Sequence, residues 1–407
     1  MNKQILYISY DGMTDPLGQS QVIPYLIGLS KAGYTITLLS CEKKDKFEAQ
    51  GEFIRTLLKT NNIKWEHVFF TSSPPILSKF YDLNKIKRTA VRLHKSNNFS
   101  LVHCRSYVAG AIGYYLKKEF GIKFLFDIRG FWVDERVDGG LWNLKNPIYK
   151  QAYKTYKKKE ANYIGAADTI VSLTENGKQE MQKWSSYKNA PIDVIPCCAD
   201  YDLFSLQTTE EQTSSKSDLG FQKNDFIVSY LGSIGTWYML NEMLDFFKII
   251  KKDYSNAKFL FVSNGEEATI LSSAKQKGIS TSDIKIVNAK RKDVPKFIKA
   301  SNISLSFIKP AYSKKSSSPT KLGELLAMGI PVICNKKIGD VDQIVLNAKG
   351  GLLIDDFSNK SYVDASINLS KYLSNYSPTE IRELSKKYYD LNDGIEKYKN
   401  IYLRLLN

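Results

Sequence analysis

Lys321 and Glu324 stand three residues apart near the start of a predicted helix, in the segment Ser316–Val332 (SSSPTKLGELLAMGIPV). A cation in the first turn of a helix opposes the helix dipole unless an anion lies close by. Residues three apart share one helix face, and a carboxylate there can accept two hydrogen bonds from a sugar diol such as ribose. The pair therefore predicts a site for a phosphorylated sugar; the alternative is a surface helix with one exposed ion pair.

Residues that favour the ends of helices lie on both sides of this pair. Ser318 is a good N-cap and Pro319 suits the first helical position. Gly329 and Pro331 predict the end of the helix, after which Val332 resumes a strand. Because a helix N-terminus offers free backbone N–H groups and the positive end of a dipole, this end of the helix suits a phosphate.

A second group of ionisable residues lies in the first half of the chain. The segment 126–136 (FDIRGFWVDER) follows a strand and is crowded with opposite charges, a density that perturbs pKa values. A histidine and an arginine after the preceding strand can line the same pocket. The alternatives are a loop held by Asp–Arg pairs and a structural histidine. The candidates in this region are Asp127 and Arg129 as catalytic residues, and His103, Arg105 and Glu135 on the acceptor side.

The elements that must position these residues alternate between strands and helices in both halves of the chain, which predicts parallel sheets covered on both faces. At 407 residues, two domains are expected. We predict a first Rossmann-like domain over 1–204, a linker over 205–218, a second domain over 219–385 and a C-terminal helix over 386–407. The last helices either cross back to the first domain or form a hairpin on their own. Ligands bind at the carboxyl edges of such sheets, and two such edges can face each other.

Composition limits the class of protein. The apolar fraction of 43% and the charged fraction of 25% are those of a globular protein. The sequence has no apolar run of the ~18–20 residues that a membrane-spanning helix needs, and no signal-peptide pattern precedes the strand-like run Ile5–Tyr10. We therefore expect a cytoplasmic protein.

Cysteine and histidine usage gives no sign of a metal or a disulfide. The five cysteines are scattered and the three histidines form no ligand cluster. We expect reduced thiols and a reaction that needs neither metal nor cofactor.

The segment from Glu324 to Val332 resembles the glycosyltransferase family 4 type of retaining GT-B enzymes, which carry such a glutamate and an Ala-x-x-Gly-x-Pro-Val-like tail. Three further segments are similar to that family: Tyr7–Gln21, Asp193–Phe204 and Phe226–Gly235. The chain departs from the family where Ser316 replaces a first glutamate and where Ser233 replaces an arginine after Gly232.

The resemblance implies a function and a set of residues. It implies transfer of a hexose from a nucleotide-sugar, with UDP favoured, to a glycan or lipid-linked acceptor, with retention and without a protein nucleophile. The implied setting is cell-surface polysaccharide synthesis, such as capsule or lipopolysaccharide. Lys321 is expected to neutralise the diphosphate, with Lys314, Lys315 or Arg291 as substitutes. The implied donor-binding residues are Gly18, Gly232, Ser233, Arg291, Ser316, Thr320, Lys321, Leu322 and Glu324.

A net charge of +16 calls for an anionic partner. The ranges Lys79–Lys95 and Lys145–Lys159 are basic, and the second places Tyr149, Tyr153 and Tyr156 on one helix face. They predict peripheral contact with an anionic membrane, unless the tyrosines belong to the core. Two rival functions are a non-hydrolysing sugar-nucleotide epimerase and a nucleic-acid-binding protein, although no nucleic-acid-binding signature supports the second.

Overall fold

The structure is a computed structural model that describes residues 3–71 and 77–407. It divides into two compact units. The first unit holds the chain up to Pro196 together with the short segment Tyr312–Ser317 and the C-terminal segment Leu391–Asn407. The second unit holds Cys197–Ala311 and Ser318–Asp390. The boundary between the units thus lies at 196/197.

Among the described residues, the first unit is built on a seven-stranded parallel sheet with the order β3-β2-β1-β4-β5-β6-β7. Its strands are β1 (Gln4–Ser9), β2 (Thr35–Glu42), β3 (Ile63–Phe69), β4 (Leu101–Arg105), β5 (Lys123–Asp127), β6 (Thr169–Ser172) and β7 (Ile192–Val194). Its helices are α1 (Pro16–Gln21), α2 (Ile23–Lys31), α3 (Lys44–Thr60), α4 (Leu77–Asn97), α5 (Ser106–Phe120), α6 (Trp132–Asp138), α7 (Pro147–Ala166) and α8 (Glu175–Gln182).

The second unit carries, in its described residues, a six-stranded parallel sheet with the order β10-β9-β8-β11-β12-β13. Its strands are β8 (Phe226–Leu231), β9 (Ala257–Val262), β10 (Ile284–Val287), β11 (Ile303–Ser306), β12 (Val332–Asn335) and β13 (Gly351–Ile354). Its helices are α9 (Thr209–Asp218), α10 (Leu240–Asp253), α11 (Glu267–Gln276), α12 (Val294–Ile298), α13 (Thr320–Ala327), α14 (Val341–Asn347), α15 (Asn359–Leu373) and α16 (Pro378–Tyr389).

Both sheets have the strand order of a dinucleotide-binding Rossmann fold, in which the first strand lies beside the fourth. The chain therefore forms two Rossmann-like α/β domains, as the sequence predicts. In each sheet the direction of winding reverses between the first and fourth strands, β1 and β4 in one unit and β8 and β11 in the other. The carboxyl ends of these strands are the places where such sheets bind ligands.

The range 205–218, expected to be a linker, is a helix for most of its length. Thr208 and Glu211 form a capping box at the start of α9. The helix packs on the second unit, where Ser215 Oγ donates to Lys296 O at 2.7 Å and the buried Lys216 Nζ donates to Asp225 O at 2.7 Å. The polar side chains that suggested a linker instead form these tertiary hydrogen bonds.

The last helix, α17 (Leu391–Leu406), belongs to the first unit and packs against α2. A Cβ added at Gly28 of α2 would lie 2.5 Å from Ile395 Cδ1, so the glycine permits this close approach. Arg404 donates to Thr169 Oγ1 at 2.9 Å and also contacts Asp193, which ties the helix to the sheet. Of the two arrangements that the sequence leaves open, the structure shows the helix returning to the first domain.

Helix α13 begins one residue later than predicted and ends as predicted. Pro319 takes the N-cap position without a side-chain hydrogen bond, because the Ser318 hydroxyl instead accepts from Cys197 N–H at 3.1 Å. At the other end, Gly329 adopts φ +71°, and Ile330 N–H donates to Leu325 O at 3.1 Å. This is the Schellman arrangement that glycine favours.

No helix in the described part of the chain is both long and apolar enough to cross a bilayer. All five cysteines are buried, and no disulfide joins any of the described residues.

Replacing Gly329 by alanine tests how tightly the end of α13 is constrained. A Cβ there would lie 2.6 Å from Pro378 O in addition to the strain of a positive φ. We expect Gly329→Ala to lower the free energy of unfolding by about 2–4 kcal/mol. Gly278→Ala is the matched control: its φ is +69°, but no described atom lies within 4 Å of the added Cβ, so only about 1–2 kcal/mol is expected. Equal losses in denaturant unfolding would contradict the packing argument.

Candidate functional site

In the first unit four of the five predicted catalytic and acceptor-side residues, all except Glu135, meet at the carboxyl edge of the sheet. Arg105 at the end of β4 pairs in register with Ser9 of β1 and with Asp127 of β5. His103, two residues before Arg105, lies on the same face of the strand. The side chains of His103, Arg105 and Asp127 are all buried. The strand register thus brings together residues that the sequence could only place after neighbouring strands.

Asp127 is a buried carboxylate with a dense set of partners. Tyr398 of α17 donates to Oδ2 at 2.9 Å, while Arg129 Nη1 and His103 Nε2 each lie 3.7 Å from the same oxygen. Burial by itself would raise the pKa of Asp127. The nearby Arg129, His103 and Arg105 outweigh burial, so the pKa is lowered below its ordinary value. Asp127 therefore remains ionised at neutral pH.

His103 is the second buried member of this cluster. Its Nδ1 lies 2.8 Å from the Tyr402 hydroxyl, also on α17. Burial lowers the pKa of His103, and the neighbouring Asp127 opposes this effect only in part. The imidazole is thus neutral at pH 7. Tyr398 and Tyr402, spaced i and i+4 on one face of α17, were not among the residues predicted from the sequence. Their spacing is the signal that could have indicated a shared role.

The segment Tyr312–Ser316, a 3-10 helix of the first unit, uses several residues expected at the donor or acceptor. The buried Ser316 hydroxyl accepts from Phe131 N–H at 2.9 Å and donates to Ser313 O at 3.0 Å. Lys314 pairs with Glu135 at 2.8 Å. Lys315 pairs with Glu180 at 2.9 Å. The hydroxyl of Ser316, a predicted donor-binding residue, and both substitute lysines therefore already have partners within this unit.

In the second unit the buried Glu324 lies in the second turn of α13. Its Oε1 accepts from Arg291 Nη1 at 2.6 Å, and the Arg291 guanidinium lies 5.4 Å from the centre of the Phe204 ring. Its Oε2 has no hydrogen-bond partner among the described residues, although Lys321 Nζ lies 3.6 Å away. One carboxylate oxygen is thus fixed, and the other can accept a hydrogen bond.

The other predicted donor residues of this unit lie around α13, with one exception. A Cβ added at Gly232 would lie 4.0 Å from Lys321 Cγ, so the loop after β8 adjoins the first turn of the helix. Tyr230 donates to Ser233 O at 2.7 Å and fixes this loop, leaving the Ser233 side chain exposed. Thr320 begins α13 and is half-buried. Leu322 differs from its prediction, because its side chain is in the core and its N–H donates to Pro319 O at 3.0 Å.

The loop after β1, which leads to the predicted donor-binding residue Gly18, is held by a residue that the sequence did not indicate. Glu42 is fully buried and accepts from Met13 N–H at 2.7 Å and from Thr14 Oγ1 at 2.7 Å. A Cβ at Gly18 would lie 2.3 Å from Gly12 O. The need for glycine at position 18 therefore arises from close packing inside the loop itself.

The second basic range, Lys145–Lys159, has a different surface from the one expected. Tyr153 and Tyr156 are half-buried, and Tyr153 donates to Asp134 at 2.8 Å, so they face the protein. The exposed apolar residues nearby are instead Leu141, Ile148 and Tyr149, with Ile148 75% exposed. The first range lies in α4, where the side chain of Lys79 is outside the described residues. The second range is helical where it belongs to α7.

Comparison of the sequence with family descriptions gives two matches. The family "Glycosyltransferase Family 4" matches residues 22–203, and "Glycosyl transferases group 1" matches residues 211–380. Together the two matches account for most of the chain. The protein belongs to the glycosyltransferases, and specifically to the GT-B enzymes of the family 4 type. No curated protein matches the sequence.

Solved structures share the fold at low sequence identity. The sucrose-phosphate synthase of Thermosynechococcus elongatus has a TM-score of 0.72 and 15% identity, covering 99% of this chain and 98% of that one. The Anabaena protein HepE, solved with UDP and glucose, has a TM-score of 0.70 and 14% identity, covering 98% of each chain. A structure described as a UDP-N-acetylglucosamine 2-epimerase of Listeria monocytogenes has a TM-score of 0.56 and 11% identity, covering 97% and 94%. Neither matching family description is that of an epimerase.

Tyr402→Phe tests whether α17 holds the buried cluster in place. Loss of the hydroxyl leaves His103 Nδ1 without its partner, so we expect a loss of about 1–3 kcal/mol in the free energy of unfolding. Tyr34→Phe is the matched control, since its hydroxyl contacts Lys399 O of the same helix at 3.4 Å and does not touch the cluster. Its cost should stay below about 1 kcal/mol. Urea unfolding that gave the two variants the same stability would argue against a special role for Tyr402.

Proposed function

We propose that this glycosyltransferase moves a hexose from a UDP-sugar to a glycan or lipid-linked acceptor with retention of anomeric configuration. The observation that carries the proposal is the buried Glu324 carboxylate, with Oε1 held by Arg291 and Oε2 open to a hydrogen bond. A diol needs adjacent acceptors in a fixed orientation, and Arg291 provides that orientation. The UDP and glucose bound to HepE, a protein of the same fold, support the choice of donor.

The diphosphate of the donor is assigned to Lys321 and the adjoining amides at the start of α13. Lys321 is 41% exposed and makes only a loose contact with Glu324, whereas Arg291 donates directly to that carboxylate. A partly exposed cation at a helix N-terminus is favourable once a phosphate binds between them. On this proposal Lys321 supplies the neutralising charge, and no metal is required.

For the acceptor side we propose that Asp127 and Arg129 orient the attacking hydroxyl. Asp127 is ionised and rigidly held, so it can accept a hydrogen bond through its Oδ1, which has no partner in the described part of the chain. The leaving phosphate would take the proton of the acceptor on the same face of the sugar, which gives retention. The contribution of the protein is then positioning and charge stabilisation.

We place the reaction in cell-surface polysaccharide synthesis, at the inner face of a membrane. The support is the exposed apolar group Leu141, Ile148 and Tyr149, which lies among the exposed lysines Lys145 and Lys150. Apolar side chains flanked by cations suit the interface of an anionic bilayer, where the first enter the acyl region and the second pair with headgroups.

Glu324→Gln tests the donor site. The substitution keeps the shape of the side chain but removes the charge that Arg291 fixes and the acceptor offered to the ribose. We expect UDP to bind about 10-fold or more weakly in calorimetric titration, since hydrogen bonds to charged groups contribute about 1.5–3 kcal/mol. Wild-type protein should also bind UDP more tightly than 2′-deoxy-UDP, and this preference should disappear in the variant.

Glu383→Gln is the control for this experiment, because Glu383 is an exposed residue of the same unit that pairs with Lys386. It should bind UDP as the wild type does. Undiminished UDP affinity in Glu324→Gln, in protein whose unfolding temperature is unchanged, would remove the basis of the proposed donor site.

Ile148→Asp tests the membrane contact. We expect wild-type protein to sediment with vesicles that contain anionic lipid. The fraction bound should fall as salt is added. Removing one exposed isoleucine from the interface should reduce vesicle binding about 10-fold, since burying such a side chain contributes about 1.5–3 kcal/mol. Ile367→Asp is the matched control, as Ile367 is 67% exposed in the other unit. Equal vesicle binding by the two variants would refute a membrane contact through Ile148.

A further inference from the structure

Arg105 occupies the switch point of the first sheet. It is the last residue of β4 and pairs with Ser9 at the end of β1. From this pair of strands the strand order of the sheet runs outward in opposite directions. In sheets of this topology the space outside the carboxyl ends at the switch point is where ligands bind. The side chain of Arg105 reaches toward the loop after β1, where its Nε lies 3.4 Å from Asp11 Oδ2.

The guanidinium of Arg105 is buried without a full set of partners. The residue is 3% exposed, and neither Nε nor Nη1 has a hydrogen-bond partner in the described residues. Its nearest anion, Asp11, is 41% exposed at the side chain and lies near Nε without forming a hydrogen bond. Asp127 is the other carboxylate that acts on it, and that group is already contacted by Tyr398 and Arg129. Because buried guanidinium N–H groups without acceptors are costly, an anion that accepts hydrogen bonds from Arg105 is expected.

A second set of donors adjoins Arg105. The 15-residue helix α5 starts at the next residue with Arg105 in the N-cap position, and no side chain caps its first amides. Ser106 at its start has φ +66°, and Arg129, two residues after the end of the neighbouring strand β5, has φ +57°. Positive φ in residues other than glycine is strained and concentrates at functional sites. An uncapped helix N-terminus beside an arginine offers both parts of a phosphate site.

We propose that Arg105 and the first amides of α5 bind a phosphate group of the acceptor, so the acceptor is a phosphorylated sugar or a lipid phosphate. The inference deepens the proposed function, on which it rests, by naming the chemical class of the second substrate. It assigns the acceptor phosphate to the first unit, separately from the donor diphosphate assigned to Lys321. Arg105 is then a substrate-binding residue whose bidentate geometry suits phosphate oxygens.

Titrations of the full-length protein with inorganic phosphate, with and without saturating UDP, test this site. We expect phosphate to bind in both conditions, because UDP occupies a different site. Arg105→Gln should weaken phosphate binding at least 10-fold in both, and Arg105→Lys should restore it only in part because a lysine lacks the planar fork. Arg92→Gln, which alters an exposed arginine of the same unit paired with Glu66, should bind phosphate like the wild type.

Two further probes identify the source of the phosphate. Glucose 6-phosphate represents a phosphorylated sugar, and dodecyl phosphate below its micellar concentration represents a lipid phosphate. The acceptor class is the one whose affinity exceeds that of inorganic phosphate and falls in Arg105→Gln. Failure of all three probes to bind wild-type protein, unchanged phosphate affinity in a folded Arg105→Gln variant, or complete loss of phosphate binding on adding UDP would each overturn the inference. Failure of UDP itself to bind would contradict the proposed function, while the titrations without UDP would still decide the role of Arg105.

Discussion

In each unit of this protein a buried carboxylate lies near the ligand-binding edge of the sheet, and much of the local structure serves to stabilise that charge. Asp127 and Glu324 are each 1% exposed. A carboxylate removed from water is stable in its charged form only where cations and donors replace its hydration. In the first unit Arg129 lies close by as a cation and Tyr398 donates a hydrogen bond, and in the second Arg291 makes a charge-assisted hydrogen bond.

This requirement accounts for where α17 lies in the first unit. The tyrosines that contact Asp127 and His103 lie on α17, which comes more than 260 residues after both in sequence. The same helix carries Ile395 into the space that Gly28 leaves open, and its tyrosine rings pack edge-on against Tyr25 and Tyr34. The last helix is thus a structural part of the first domain, and the polar cluster of that domain is incomplete without it.

The sequence alone predicts elements better than it predicts partners. The apolar run Phe226–Leu231 predicts β8 with the bounds that the structure shows, and all of its residues are buried. Strand β3 was missed because it lies at the edge of the sheet, where polar side chains at Lys64 and Glu66 interrupt the apolar pattern. The helix α9 was missed for the related reason that its contacts are hydrogen bonds, which leave no hydrophobic periodicity.

The candidate site shows the same difference between local relations, which the sequence predicts, and tertiary contacts, which it does not. Sequence spacing was sufficient to place Lys321 and Glu324 on one face of α13, because that relation is local. It could not show that Arg291 would meet Glu324, or that the Ser316 and Ser318 hydroxyls would be taken by Phe131 and Cys197. Those pairings join residues 33 to 185 positions apart, and only the fold decides them. Local periodicity therefore reveals the chemistry of a helix, and tertiary structure reveals which groups remain open for a ligand.

The chain departs from the family at Ser233, and the structure shows what holds the loop there instead. The Ser233 carbonyl is fixed by the Tyr230 hydroxyl, so the loop after β8 holds its shape without the arginine that the family carries there. The side chain of Lys321 adjoins this loop, since its Cγ lies 4.0 Å from where a Cβ at Gly232 would be. Because a phosphate responds to the position of positive charge more than to its origin in the chain, the proposed donor site assigns to Lys321 on the helix the charge that the family carries on the loop. On that proposal the cation for the donor is found by charge and position, and not by matching the family motif letter by letter.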